Sequence, residues 1–213
     1  METTANFSIR HDTGKINTSP FSAMAPFVRI QKGCSAFLHI PSADDDNDIV
    51  KCRWAKLLPI DECGSVCQTL SGSILQQMPC ALNCTTSRSA GWYGVAIQIE
   101  YFAHSNSSEP LSSVSLQFLV NVFESNASCQ SKPVVNVNTT GDPPTVKLLL
   151  HTTYFQTIIA DSGSSGIRIT AINTNSPIGM TKSELRKVST SGTEYYVTVT
   201  WKPSSTQTGN HIF

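Results

Sequence analysis

The chain has 213 residues, enough for one large domain or two sandwiches of about 100 residues each, and two are expected. Fifteen basic residues balance fifteen acidic ones, so no net charge draws the chain to nucleic acid or to an anionic membrane, and neither is expected as a partner. Charged residues make up only 14%, while Ser, Thr and Asn are abundant, a composition of polar-faced strands and turns that predicts an all-β fold.

Residues 1–26 are polar and carry turn signals at Thr13-Gly14, Asn17-Thr18-Ser19 and Ser19-Pro20. They read as a partly disordered leader with at most one edge strand. Short apolar or alternating runs at Phe27–Gln31, Ala36–Ile40 and Ile49–Trp54, bounded by Gly, Pro and Asp, predict strands. Pro59–Arg88 breaks into Cys, Gly, Ser and Gln around Ile74-Leu75, which predicts a disulfide-tied loop or one brief helix. The strongest strand patterns follow. Val95, Ile97, Ile99 and Tyr101 alternate, as do Val114, Leu116, Phe118, Val120 and Val122, so each set is expected on one buried face, with Gln98, Glu100, Ser115, Gln117 and Asn121 pointing outward.

No cysteine follows Cys129, and Ser128–Pro133 is linker-like. The boundary is placed there, giving a disulfide-bearing sandwich over 27–130 and a second sandwich over 131–213. In the second, Val146–Leu150, Phe155–Ala160, Ile167–Ile172 and Tyr195–Trp201 are strand candidates, and Pro177–Lys187 is a candidate helical turn. The chain stops at His211-Ile212-Phe213, three residues into what reads as a further strand. The second sandwich is therefore expected to lack its final strand, and the chain to be a piece of a longer protein.

Seven cysteines, Cys34, Cys52, Cys63, Cys67, Cys80, Cys84 and Cys129, suit an oxidising compartment, where they serve as disulfide staples of undetermined pairing with one left over. N-x-S/T sequons begin at Asn6, Asn17, Asn83, Asn106, Asn126 and Asn138, which makes these residues glycosylation candidates and supports an extracellular or cell-surface setting. Met1–Lys15 contains no apolar signal-peptide core, and no apolar run is long enough to span a bilayer.

Tyr196-Val197-Thr198-Val199-Thr200-Trp201-Lys202-Pro203, followed by Gln207-Thr208-Gly209-Asn210-His211 and preceded by Ile178-Gly179-Met180, resembles the immunoglobulin-like and dystroglycan-type cadherin-like repeats of large animal surface proteins. Asp44–Trp54, Glu62-Cys63-Gly64-Ser65-Val66-Cys67, Gly91-Trp92-Tyr93 and Val114–Val120 resemble the module that often precedes such repeats. The resemblance implies two tandem Ig-like or cadherin-like β-sandwiches in an adhesion or matrix setting, with protein partners or neighbouring modules, and it supplies no catalytic residues.

Asp44-Asp45-Asp46-Asn47-Asp48 places four carboxylates in five positions. Asp44, Asp46 and Asp48 alternate and could converge on calcium, a hard cation that takes six to eight oxygen ligands, although Asn47 stands where such loops usually carry Gly. A solvated acidic turn is the competing reading. Cys63-x3-Cys67 and Cys80-x3-Cys84 have the outline of a four-thiolate zinc site, but disulfides are preferred. Cys52 and Trp54 share a strand face, where the indole could cover a disulfide. Trp92, Tyr93, Tyr195, Tyr196 and Trp201 are expected in the core rather than on a ligand face. No hydrolase, metalloprotease or phosphate-loop motif is present and the histidines are scattered, so the chain is not expected to be an enzyme. The expected function is an extracellular structural or adhesion module, rigidified by calcium. Glycan or ligand binding by a β-sandwich is the first alternative, and an intracellular zinc or redox module the second.

Overall fold

A computed structural model describes residues 4–5, 7–46, 48–85, 89–137 and 145–213. The described residues form strands, turns and one 3-10 turn, with no α-helix, and the fold is all-β. The chain divides into two compact units, Met1–Asn126 with Asn210–Ile212, and Ala127–Gly209 with Phe213.

The first unit contains β1 (Thr4–Ala5), β2 (Phe21–Ser22), β3 (Phe27–Gln31), β4 (Ser35–His39), β5 (Ser42–Ala43), β6 (Ile49–Trp54), β7 (Ile74–Gln76), β8 (Ala81–Thr85), β9 (Gly91–Phe102) and β10 (Ser112–Phe123). Alternating β-branched and aromatic residues make β9 and β10 the longest strands, and they pair antiparallel from Ser112↔Tyr101 to Val122↔Gly91. β6 extends this sheet beyond β9. On the other side of β10, β3 runs parallel along Leu119–Phe123 and β1 antiparallel at Ser112–Ser113. A second sheet has the order β4-β8-β7. The two sheets bury one core between them: Cys52, Val95, Ile97, Ile99, Phe118, Val120 and Val122 from the first, and Leu82 and Cys84 from the second, with Ile30, Ile40, Leu70 and Cys80. A disulfide joins Cys52 on β6 to Cys80 just before β8, and Trp54 packs on the same core. By loop-closure entropy, a bridge across 28 positions stabilises the fold by about 3.5 kcal/mol.

Period-two alternation gives the inner face correctly but underestimates what covers the outer one. Gln98, expected to point outward, is 0% exposed and accepts a hydrogen bond from the Ser113 hydroxyl (2.9 Å). The same outer face carries a second, smaller core: Ala96 on β9 packs with Ala55, Cys63, Val66 and Cys67 of the segment between β6 and β7. That segment is a disulfide-tied loop ending in β7 and contains no helix. The polar leader also differs from expectation. It contributes two short strands, and Arg10 and Asn17 are buried because carboxylates and hydroxyls satisfy them.

The second unit opens with a 3-10 turn (Cys129–Ser131) and continues through β11 (Val134–Val137), β12 (Tyr154–Asp161), β13 (Thr181–Lys182), β14 (Arg186–Lys187) and β15 (Glu194–Trp201). These form one five-stranded sheet in which β15 pairs with β12 on one side and with β13 and β14 on the other. Ile158, Ala160, Tyr195, Val197 and Val199 face a core closed by Ile169 and Ile172. Ile167–Ile172 is not the expected strand: its buried residues are three apart rather than two, and it packs without joining the ladder. Val146–Leu150 is not a strand either. Its side chains are mostly exposed, so alternation there reports no buried face. Pro177–Lys187 holds a turn at Gly179 followed by β13 and β14, not a helical turn.

The segments behind the sequence resemblance meet in the second unit. Trp201 Nε1 (3.2 Å) and Gln207 Nε2 (2.8 Å) both donate to the carbonyl of Ile178, at the turn where Gly179 has φ +83°. That conformation favours glycine, so the apolar-Gly-Met turn and the Trp and Gln positions form one structural knot.

Candidate functional site

Asp44, Asp46 and Asp48 lie between β5 and β6 and converge as the sequence predicts, each offering a carboxylate oxygen within 4.8 Å of the others. Asn47 lies outside the described residues. What organises the three is a set of hydrogen bonds from the chain itself. Asp44 accepts the Asp48 N–H (2.8 Å) and the Thr18 hydroxyl (3.1 Å). Asp46 accepts the Thr18 N–H (2.6 Å) and hydroxyl (2.8 Å). Asp48 is gripped by both ends of the Arg10 guanidinium, at 2.5 and 2.7 Å, in the forked geometry that makes arginine–carboxylate pairs strong. Arg10 also reaches Asp12 at 2.6 and 3.0 Å and the Asn17 side-chain carbonyl at 3.0 Å.

The electrostatics follow from this geometry. The hydrogen bonds it donates to Asp12 and Asp48 hold the Arg10 guanidinium more firmly protonated than usual, and Arg10 in turn holds the Asp12 carboxyl down at about 2. Burial pushes Asp44 up. Burial also pushes on Asp46, but the Thr18 hydrogen bonds and the Arg10 charge outweigh it and leave that carboxyl low. Tyr101, which donates its hydroxyl to the Ala43 carbonyl beside the cluster, is raised by burial and then by the Asp44 charge. The missed residue is Arg10. A lone arginine in a polar leader carries no local signal that it will fold onto a loop 38 positions away.

The second candidate is the outer face of the β3-β10-β9-β6 sheet. Phe27 stands directly opposite Leu119, and Trp92 lies edge-on to Phe27 with ring centroids 5.7 Å apart. Arg29 lies on the same face, 4.5 Å over the Phe123 ring. Of the aromatics expected in the core, Tyr195 and Trp201 are buried and Tyr93 packs on the first core, but Trp92 is 59% exposed. The patch ends where the disulfide loop begins, since Gly94, opposite Leu119, lies under Val66.

The cysteines are not gathered as a zinc centre would require. Cys63 pairs with Cys67, Cys52 with Cys80, and Cys34 and Cys129 are also disulfide-bonded, leaving Cys84 as a free buried thiol that burial pushes up. Asp61 lies beside Cys63 and Cys67 and accepts the N–H groups of Cys63 and Gly64, which makes it a turn cap. Of the sequons, Asn106 and Asn126 are exposed in turns and bends, and Asn83 is exposed on β8. Asn17 is 8% exposed, and its amide nitrogen donates to the Thr18 carbonyl (2.8 Å) and the Ser112 hydroxyl (3.3 Å), so both amide protons are engaged in this fold. Asn6 and Asn138 lie outside the described residues.

No protein-family model matches the chain, and no curated protein matches it. Among solved structures, the titin domains Z1Z2 in complex with telethonin align at TM-score 0.32 and 11% identity, over 85% of this chain and 81% of that one. Dpr2 Ig1-Ig2 in complex with DIP-Theta Ig1-Ig3 aligns at TM-score 0.29 and 11% identity, over 91% of each chain. A chimeric titin Z1Z2 carrying a decorin peptide aligns at TM-score 0.26 and 7% identity, over 85% and 82%. The strand order decides the architecture independently. In chain order, β3, β4, β6, β7, β8, β9 and β10 take the places A′, B, C, D, E, F and G, with B-E-D on one sheet and A′-G-F-C on the other. The first unit is an immunoglobulin-type sandwich. Its inter-sheet bridge departs from the usual B-to-F position of antibody domains and runs from C to the start of E.

Proposed function

We propose that this chain is the interaction part of an extracellular or cell-surface protein and binds a protein partner through the outer face of the first sandwich. The observation that carries the reading is the Phe27–Trp92–Leu119 patch with Arg29 at its side: aromatic and arginine side chains left in water on a rigid sheet have the composition of an interface centre. The disulfides fit an oxidising setting. In this reading the second unit is a further module of the same adhesive array, of the cadherin-like kind its Trp201 and Gln207 motif resembles. The test is binding of the secreted chain to an array of extracellular domains, with a glycan array beside it. Trp92→Ser and Leu119→Lys are expected to weaken protein binding at least 10-fold, on the order of the loss of one interface hot spot, with unchanged thermal unfolding. Binding to glycans alone, or retention of full affinity by both variants, would overturn it.

Calcium belongs to the same proposal, at Asp44, Asp46 and Asp48, where three carboxylates already converge. An ion there has to compete with Arg10 for Asp48. Millimolar calcium is then expected to raise Tm, and more steeply in Arg10→Gln, where the built-in cation is gone. No shift in either protein removes calcium from the account.

A further inference from the structure

The outer face of the β4-β8-β7 sheet carries its own apolar pair, with a modification signal between the two members. Asn83 sits on the central strand, and the register places Phe37 directly opposite it on β4 and Ile74 directly opposite it on β7. Directly opposed residues share a face, with Cβ atoms about 4.5–5.5 Å apart. Phe37 is 51% exposed and Ile74 68%, while Ala36, Leu38 and Leu75 point the other way, into the core. The Phe37 ring is steadied by His39, edge-on at 5.0 Å. The sequon Asn83-Cys84-Thr85 is exposed at both its Asn and its Thr, and its middle residue is the one cysteine without a disulfide, so no cross-link crowds it.

We infer that Asn83 carries an N-linked glycan whose first sugar packs across Phe37 and Ile74 and closes this face of the sandwich. This inference rests on the secretory setting proposed above. Asn83 Nδ2 bonds to C1 of the sugar of a lipid-linked oligosaccharide, the lipid pyrophosphate leaves, and the amide gives up one proton. The glycan then performs two tasks: it keeps an exposed apolar pair from associating with other chains, and it leaves the Phe27–Trp92–Leu119 face as the open one. Among the described residues the other exposed sequons, at Asn106 and Asn126, lie in turns and bends rather than within a sheet face.

The test uses the full chain secreted from animal cells, with glycans trimmed to a single N-acetylglucosamine. Glycopeptide mass spectrometry is expected to find Asn83 occupied. Asn83→Gln is expected to lower Tm by about 2–4 °C, and the same substitution in a Phe37→Ala background by much less, because the sugar has lost its platform. Glycans at Asn106 or Asn126 with Asn83 bare would overturn this inference alone. So would an occupied Asn83 whose loss costs the same with and without Phe37. Absence of glycan from every sequon would overturn the secretory reading together with it.

Discussion

Arg10 is 7% exposed at its side chain and stands against Asp12, Asp46 and Asp48, so a buried cation and its carboxylates hold one another in place. Removing one member of such a group leaves the others charged and unpaired, which costs more than the pair itself contributes. The pH dependence has a defined sign. Asp12 and Asp46 have folded-state values below the ordinary 3.8, so the stability they contribute is complete above about pH 4 and is lost as pH falls, for Asp12 toward about 2. Asp44, raised by burial, works in the opposite direction and loses stability as pH rises through the ordinary carboxylate range. Arg10→Gln is expected to lower Tm at pH 7, and the gap from the wild-type protein is expected to narrow between pH 5 and pH 2. A gap constant with pH in thermal scans would mean that Arg10 acts by packing alone.

At the scale of elements, the disulfide loop lies on β9 because position 94 has no side chain. A Cβ added to Gly94 would meet Val66 Cβ at 2.8 Å, so the loop or the strand would have to shift. Its flank is tied by Arg53, which binds both oxygens of Glu62 (2.6 and 2.8 Å) and one of Glu100 (2.8 Å), holding Glu62 below its usual range. Thr69 donates its hydroxyl to the Gly94 carbonyl at 2.5 Å. Gly94→Ala is expected to cost about 1–3 kcal/mol in urea unfolding and to speed proteolysis within residues 56–69. Equal stability would show that the loop floats free of the sheet. This covering explains where sequence reading stops. Alternation identified β9, β10, β12 and β15, because one buried face is enough to impose it. It could not show that Ala96 would be covered by a loop, or that Ile167–Ile172 would fill a core without pairing, because both depend on what a distant segment does. Trp92 is the converse: an aromatic at a strand start is ordinarily core, and only the boundary of the loop leaves it in water. The acidic triad was legible as a cluster, but not as one already holding its own cation.

For the whole molecule, six cysteines are oxidised and Cys84 alone is not. The native protein is expected to show no reactive thiol and the denatured, unreduced protein one per chain. Four or more would return the intracellular zinc or redox reading to contention. The parallel pairing of β3 with β10 has a consequence in time. Partners along this edge, such as Lys32 and Glu124, are 92 positions apart, so the N-terminal strand emerges from the ribosome on the order of 5–20 s before the strand it completes. During that interval Phe27 has no Leu119 beside it, whereas every partner of Arg10 has already been made. The Phe27–Leu119 pair therefore cannot form until β10 has been made, and a nascent chain cut short before β10 would carry Phe27 and Trp92 without the strand that brings Leu119 beside them.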